Sequence, residues 1–244
     1  MVIKTMLIVK VLRYFFTLFF LGSSVATVCY ADGSPIDKVY LPYVQPLEQE
    51  IEYRMLAREV DGENVSQHKL GYGSWLLENW FAEFYVMGEK TEEEFVISDY
   101  EAEVKLQLTE QGEFDIDLGL MFEVEKSADA DDAWEAAAGL LAVKNFNKIS
   151  VAANAFLVRE WGKDRMAEFE QYGAVQVRYR LAPQFEPGIE LYIGEEVSAI
   201  GPVMMGRLRV ASQQKLFWQL GMLFDDSNQG SNRILQLQLE YEFL

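Results

Sequence analysis

Cysteine and histidine are almost missing from this chain, with Cys29 and His68 the only ones. A disulfide framework is therefore excluded. A zinc or other metal site built from histidine and cysteine lacks its ligands. Bases are scarce as well, with Lys+Arg 21 against Asp+Glu 39 and a net charge of -18. Such a chain repels the phosphates of nucleic acid. After the first thirty or so positions no continuous apolar run reaches the roughly 20 residues that a helical membrane span needs. Disorder is excluded too, because 50% of residues are hydrophobic and 14% aromatic.

Residues 1–31 stand apart. Lys4, Lys10 and Arg13 precede the apolar run YFFTLFFL, and small residues follow. A basic start, a short apolar centre and a small-residue exit predict a secretory signal peptide, with cleavage after Ala26 or Ala31. A lipoprotein would use Cys29, but Val28 before it is not small.

What is abundant is alternation. The stretch 94–125 reads EFVISDYEAEVKLQLTEQGEFDIDLGLMFEVE. Tyr100, Ala102, Val104, Leu106 and Leu108 share one face, and Asp99, Glu101, Glu103, Lys105 and Gln107 share the other. After a turn at 110–112, Ile116, Leu118, Leu120, Phe122 and Val124 oppose Asp115, Asp117, Glu123 and Glu125. A period of two places alternate side chains on opposite strand faces. The same device predicts strands at 48–58, 67–75, 80–89, 149–160, 171–181, about 189–193, 203–210, 216–224 and 234–243. The stretch 134–143, WEAAAGLLAV, fits a helix as well as a strand by composition. The turn-like residues 144–148 favour a strand. Residues 32–46, with three prolines and no period, read as a periplasmic lead-in before a barrel at 47–244.

About twelve strands of roughly ten residues fit a tilted bilayer crossing. Alternation alone also fits a soluble barrel with its apolar face inward. The signal segment, the short turns after every second strand and the aromatic residues near strand ends favour the inverted arrangement. Trp80, Tyr100, Trp134, Trp161, Tyr172, Tyr179 and Trp218 would form the interfacial girdles. The expected fold is an all-β, single antiparallel transmembrane barrel.

The closing LQLQLEYEF resembles the last strand of bacterial outer-membrane proteins, which ends in a terminal aromatic read by the assembly machinery. Leu239, Tyr241 and Phe243 would carry that signal, with Leu244 one residue past the usual end. EIEYR, YGSWLLENWFAEFY, RYRLAPQFEPGIELY and LEYEF together resemble a group of proteobacterial outer-membrane barrels. The hairpins are also similar to barrels associated with phenol-degradation operons. The resemblance implies outer-membrane lipid as surroundings, and no substrate.

With the polar face inward, Glu50, Glu52, Asp99, Glu101, Glu103, Asp115, Asp117, Glu123, Glu125, Glu190, Glu240 and Glu242 line the lumen. Arg54, Lys105, Arg178, Arg180, Arg207 and Arg209 face them. Strands eight to ten are expected to set Arg178 and Arg180, Glu190, and Arg207 and Arg209 side by side as a cross-strand ladder. A narrow channel preferring cations is one reading, because charged rings select the opposite sign. A salt-bridged interior that conducts little is the other. Catalysis has little to stand on. A barrel hydrolase needs a Ser–His pair with an orienting polar group, and His68, with Ser66 and Ser74 nearby, reads more simply as a lone surface histidine.

Overall fold

The computed structural model describes residues 36–60, 62–128, 134–162, 165–194, 198–225 and 233–244. The stretch expected to be a signal peptide, with Cys29, and most of the loops at 127–132 and 225–231 lie outside the described residues. Twelve strands follow one another: β1 (Gln49–Val60), β2 (Glu63–Leu77), β3 (Trp80–Lys90), β4 (Phe95–Gln107), β5 (Asp117–Ser127), β6 (Trp134–Phe146), β7 (Ile149–Gly162), β8 (Arg165–Tyr179), β9 (Glu186–Ile193), β10 (Ser198–Ala211), β11 (Gln214–Asp225) and β12 (Arg233–Phe243). Each pairs antiparallel with its sequence neighbours, and β1 pairs with β12, so the sheet closes on itself. Closure leaves no edge strand with unpaired backbone groups, the condition for a sheet to sit in lipid.

The faces are inverted as the alternation implied. Ile51, Leu70, Phe84, Phe122, Ile189, Leu220 and Leu235 are exposed, while Glu52, Glu103, Asp117 and Glu190 are buried. An apolar surface that continues around a whole barrel has no stable place in water, and lipid covers it. A soluble barrel with an aliphatic middle is therefore not what this chain forms. Among the expected girdle residues, Tyr172 is a correction. It shares the inward parity of the buried Ala174 and Gln176, and its ring stacks on Phe156 at 4.6 Å between centroids.

β6 is a strand through Phe146. It runs in register between β5 and β7, with Leu120 opposite Leu140 and Gly139 opposite Phe156. Its Gly139 leaves room for the ring of Phe156 on the neighbouring strand. A second small residue does the same on β2: a side chain at Gly71 would collide with the ring of Tyr85.

The hairpin between β4 and β5 is wider than expected. The ladder stops at Gln107 and resumes at Asp117, because side chains take over the backbone bonds. Thr109 Oγ1 accepts from Leu118 N at 2.8 Å, and Asp117 Oδ1 accepts from Gly112 N at 2.7 Å. Gly112 takes φ +75° there, a conformation that suits glycine. Asp115 consequently lies exposed in the connection and not in the lumen. The connection between β1 and β2, by contrast, is tight, with Val60 opposite Glu63.

The stretch read as a lead-in is, in its described part, inside the barrel. Ile36, Lys38, Val39 and Tyr40 are buried, and Pro42 rests against Gly119 of β5. Residues 36–46 form no strand. Their backbone groups bond instead to side chains of the wall, which is how irregular backbone is tolerated at membrane depth.

Candidate functional site: an occupied lumen

The lumen wall divides into an ionic half and an apolar, amide-bearing half. The ionic half comes from β1 to β5. Inward positions there are Glu50, Glu52 and Arg54 on β1, Lys69 on β2, Glu83 and Tyr85 on β3, Glu101 and Glu103 on β4, and Asp117 and Glu123 on β5. Register sets acid opposite acid: Glu83 faces Glu103, and Glu103 faces Glu123. Like charges across a ladder repel unless bases or water intervene.

Four cations intervene, and one belongs to the inserted segment. Lys38 Nζ lies 2.7 Å from Glu52 Oε2 and 3.8 Å from Glu83 Oε1. Arg54 bonds Glu52 through Nη2 at 2.8 Å and reaches Asp37 through Nη1. Lys69 Nζ lies 2.6 Å from Glu101, 3.2 Å from Glu103 and 3.3 Å from Asp37. Lys105, half-buried, places Nζ 5.2 Å from the centre of the Phe81 ring. The Tyr40 hydroxyl lies 2.7 Å from Asp37 and 2.8 Å from Glu103. The Tyr85 hydroxyl lies 2.7 Å from Glu52 and accepts from Arg54 at 2.8 Å. Burial opposes the charge of Lys38, as does Arg54, but Glu52, Glu83 and Glu240 outweigh both and hold it as an ammonium. Burial likewise opposes ionisation of Asp37, and Arg54 and Lys69 hold its carboxyl below the usual range.

The other half comes from β6 to β12. Val143, Ala152, Ala174, Tyr192, Ala199, Val203, Leu223 and Ile234 form one cluster with Ile36 and Val39 of the segment. Amides punctuate it. Asn154 grips the Tyr40 backbone twice, accepting from its N–H at 2.7 Å and donating to its carbonyl at 2.9 Å. Gln236 donates to the Asp37 carbonyl at 2.9 Å. On the ionic side Gln107 accepts from Val44 N at 2.7 Å. The segment is thus two-faced: Asp37, Lys38 and the Tyr40 hydroxyl meet charge, and Ile36 and Val39 meet hydrocarbon.

Of the residues expected in the lumen, Glu50, Glu52, Glu101, Glu103, Asp117, Glu190, Glu242 and Arg54 are buried. Asp99, Glu123, Glu125, Glu240 and Lys105 are half-buried on the same face. The basic ladder does not form. Register sets Glu190 opposite Gln176 and Gly201, not opposite arginine. Glu190 instead accepts from Gln176 at 2.6 Å, Gln219 at 2.9 Å and Tyr192 at 3.0 Å. Arg178 lies 3.6 Å from Glu186, and Arg180 bonds Asn145 at 2.6 Å. Arg207 and Arg209 are exposed, near the end of the barrel where β1 begins and β12 stops. Arg178, Arg180, Arg207 and Arg209 therefore lie toward that mouth, and the interior acids are met by Lys38, Arg54 and Lys69 instead.

Lys38, Asp37, Tyr40, Lys69, Tyr85 and Asn154 were not picked out by periodicity. Lys69 had a signal, since it alternates with Gly71 and Gly73. The segment had another, a charged pair set among Ile36, Val39 and Tyr40.

Comparison with solved structures finds barrels of this design. The KdgM porin in complex with disordered oligogalacturonate is 12% identical, with a TM-score of 0.52, over 80% of this chain and 98% of that one. An outer-membrane channel from Pseudomonas putida F1 is 13% identical, with a TM-score of 0.57, over 85% of this chain and 99% of that one. The β domain of the Bordetella autotransporter BrkA is 11% identical, with a TM-score of 0.52, over 81% and 99%. At such identities the likeness is one of fold. No family profile matches the sequence, and no curated protein matches it.

Proposed function

We propose that this chain is a bacterial outer-membrane channel for small solutes, cation-preferring, and closed by its own N-terminal segment. The observation that carries this is residues 36–46 lying across an acid-rich lumen without joining the sheet. They are held by ion pairs and amide clamps, contacts that can open without breaking the barrel ladder. The excess of carboxylates over bases in the interior favours cations. The fold shared with a porin and a channel supports passive transport. The likeness to barrels of phenol-degradation operons finds support in one feature, the apolar half of the lumen, which would wet an aromatic solute. Leu239, Tyr241 and Phe243 lie on β12 at the seam with β1, a position fit for reading by the assembly machinery.

Single-channel recording in planar bilayers tests the reading. The wild type should pass little current. Asp37→Asn combined with Asn154→Ala should raise conductance several-fold, with a reversal potential favouring cations. Silence from both proteins would favour the second reading, a non-conducting structural or surface-interaction barrel. That reading draws on the aromatic side chains Tyr85, Phe156 and Tyr192, which are fully buried in the interior.

A further inference from the structure

We propose that the carboxylates around Lys38, those of Glu50, Glu52, Glu83 and Glu240, form a binding site for the primary ammonium group of a small organic solute, which Lys38 occupies as a tethered competitor. This deepens the channel reading and rests on it. Carboxylate oxygens of Glu50, Glu52 and Glu240 all lie within 4.8 Å of one another. Glu83, only 4% exposed, points Oε1 at the Lys38 ammonium from 3.8 Å, and its Oε2 has no hydrogen-bond partner. The group sits where β1 meets β12 and β3 comes alongside. Every carboxylate comes from the rigid ladder, and the ammonium comes from the one described lumen element outside it. When that element leaves, the four acids lose the Lys38 ammonium, and Arg54 stays on the wall beside Glu52.

The geometry selects an ammonium over a metal ion. Both Glu52 oxygens already accept hydrogen bonds, Oε1 from Gln238 at 2.6 Å and Oε2 from Tyr85 at 2.7 Å. A divalent ion needs oxygens free to close in on it. An ammonium is a point charge with three donors and tolerates oxygens shared with other donors. The Lys38 ammonium also lies 4.9 Å from the centre of the Tyr40 ring, a cation–π contact supplied by the segment itself.

The test uses the full chain in detergent and n-butylammonium chloride, which is the lysine side chain without its backbone. Lys38→Ala vacates the seat. Millimolar n-butylammonium should raise the thermal midpoint of Lys38→Ala saturably. The wild type should need about tenfold more, because its own lysine competes. Lys38→Ala with Glu52→Gln should not respond. No saturable shift in Lys38→Ala overturns the proposal. So does an equal shift with tetramethylammonium, which cannot donate, or with calcium. Should Lys38→Ala not assemble, Val39→Cys in an otherwise wild-type chain reads the same competition. Its thiol labelling should accelerate with n-butylammonium and not with tetramethylammonium, and an unchanged rate overturns the idea. A conducting barrel that ignores n-butylammonium would sink this site and spare the channel. A silent barrel that binds it would do the reverse.

Discussion

The two halves of the lumen wall hold the same segment by different physics. Against β1 to β5 the contacts are charged, short and mutually dependent, since Arg54 serves Glu52 and Asp37 at once. Against β6 to β12 they are apolar and amide contacts, individually weaker and largely independent. Buried ion pairs bring little net stability but punish the loss of one partner, because the other charge is stranded. Apolar contacts lose roughly what the removed atoms contributed plus a cavity. The ionic half therefore sets where the segment sits, and the apolar half sets how firmly.

That contrast can be broken by mutation. Arg54→Ala leaves Glu52 to Lys38 alone and Asp37 to Lys69 alone, and should destabilise the barrel by about 3 kcal/mol in chemical denaturation from micelles. A loss under about 1 kcal/mol would mean that water already screens the ionic half. Leu223→Ala, in the apolar half, should cost about 2–3 kcal/mol by the same assay, the low end for such a truncation if Ile36 settles into the space. Asn154→Ala removes two clamps on Tyr40 and should cost about 1–3 kcal/mol. Its accompanying sign should be faster cleavage near residue 40 by added protease, with the barrel itself resistant.

A pH dependence sharpens the comparison at the mouth. Glu48 precedes β1, and burial, with Glu242 beside it, raises its carboxyl to about 7. In the unfolded chain the group ionises at an ordinary 4.5. The folded state then binds the proton more tightly, so stability falls as pH rises between those two values. Glu48→Gln should be more stable than wild type above pH 7, by a gap that closes as pH drops below about 4.5. Thermal midpoints measured across that range check it, and a gap that widens in acid would contradict it.

Periodicity made most of the cylinder legible. Alternation in 94–125 assigned inside and outside to β4 and most of β5, and the same rule reached the other strands except β6, which the turn residues after it favoured. Its failures have a common cause. Asp115 continues the alternation of β5, but Thr109 and Asp117 supply side-chain bonds that end the ladder first. The arginines of β8 and β10 alternate correctly, yet alternation says nothing of stagger, and the register slides them away from Glu190. Residues 36–46 have no period because they satisfy their backbone through Asn154, Gln107 and Gln236, partners distant in the chain. Only the folded wall reveals such partners.

The seam between β1 and β12 carries an implication for the order of assembly. Closing it sets Glu50 opposite Glu242 and Glu52 opposite Glu240, two stacked acid pairs at the joint that turns the sheet into a cylinder. Lys38 is the cation that touches this joint from outside the sheet. An N-terminus already threaded and waiting would neutralise the repulsion as β12 arrives. A late-arriving one would meet a shut door. Set in place before closure, Lys38 would act as the keystone of that arch.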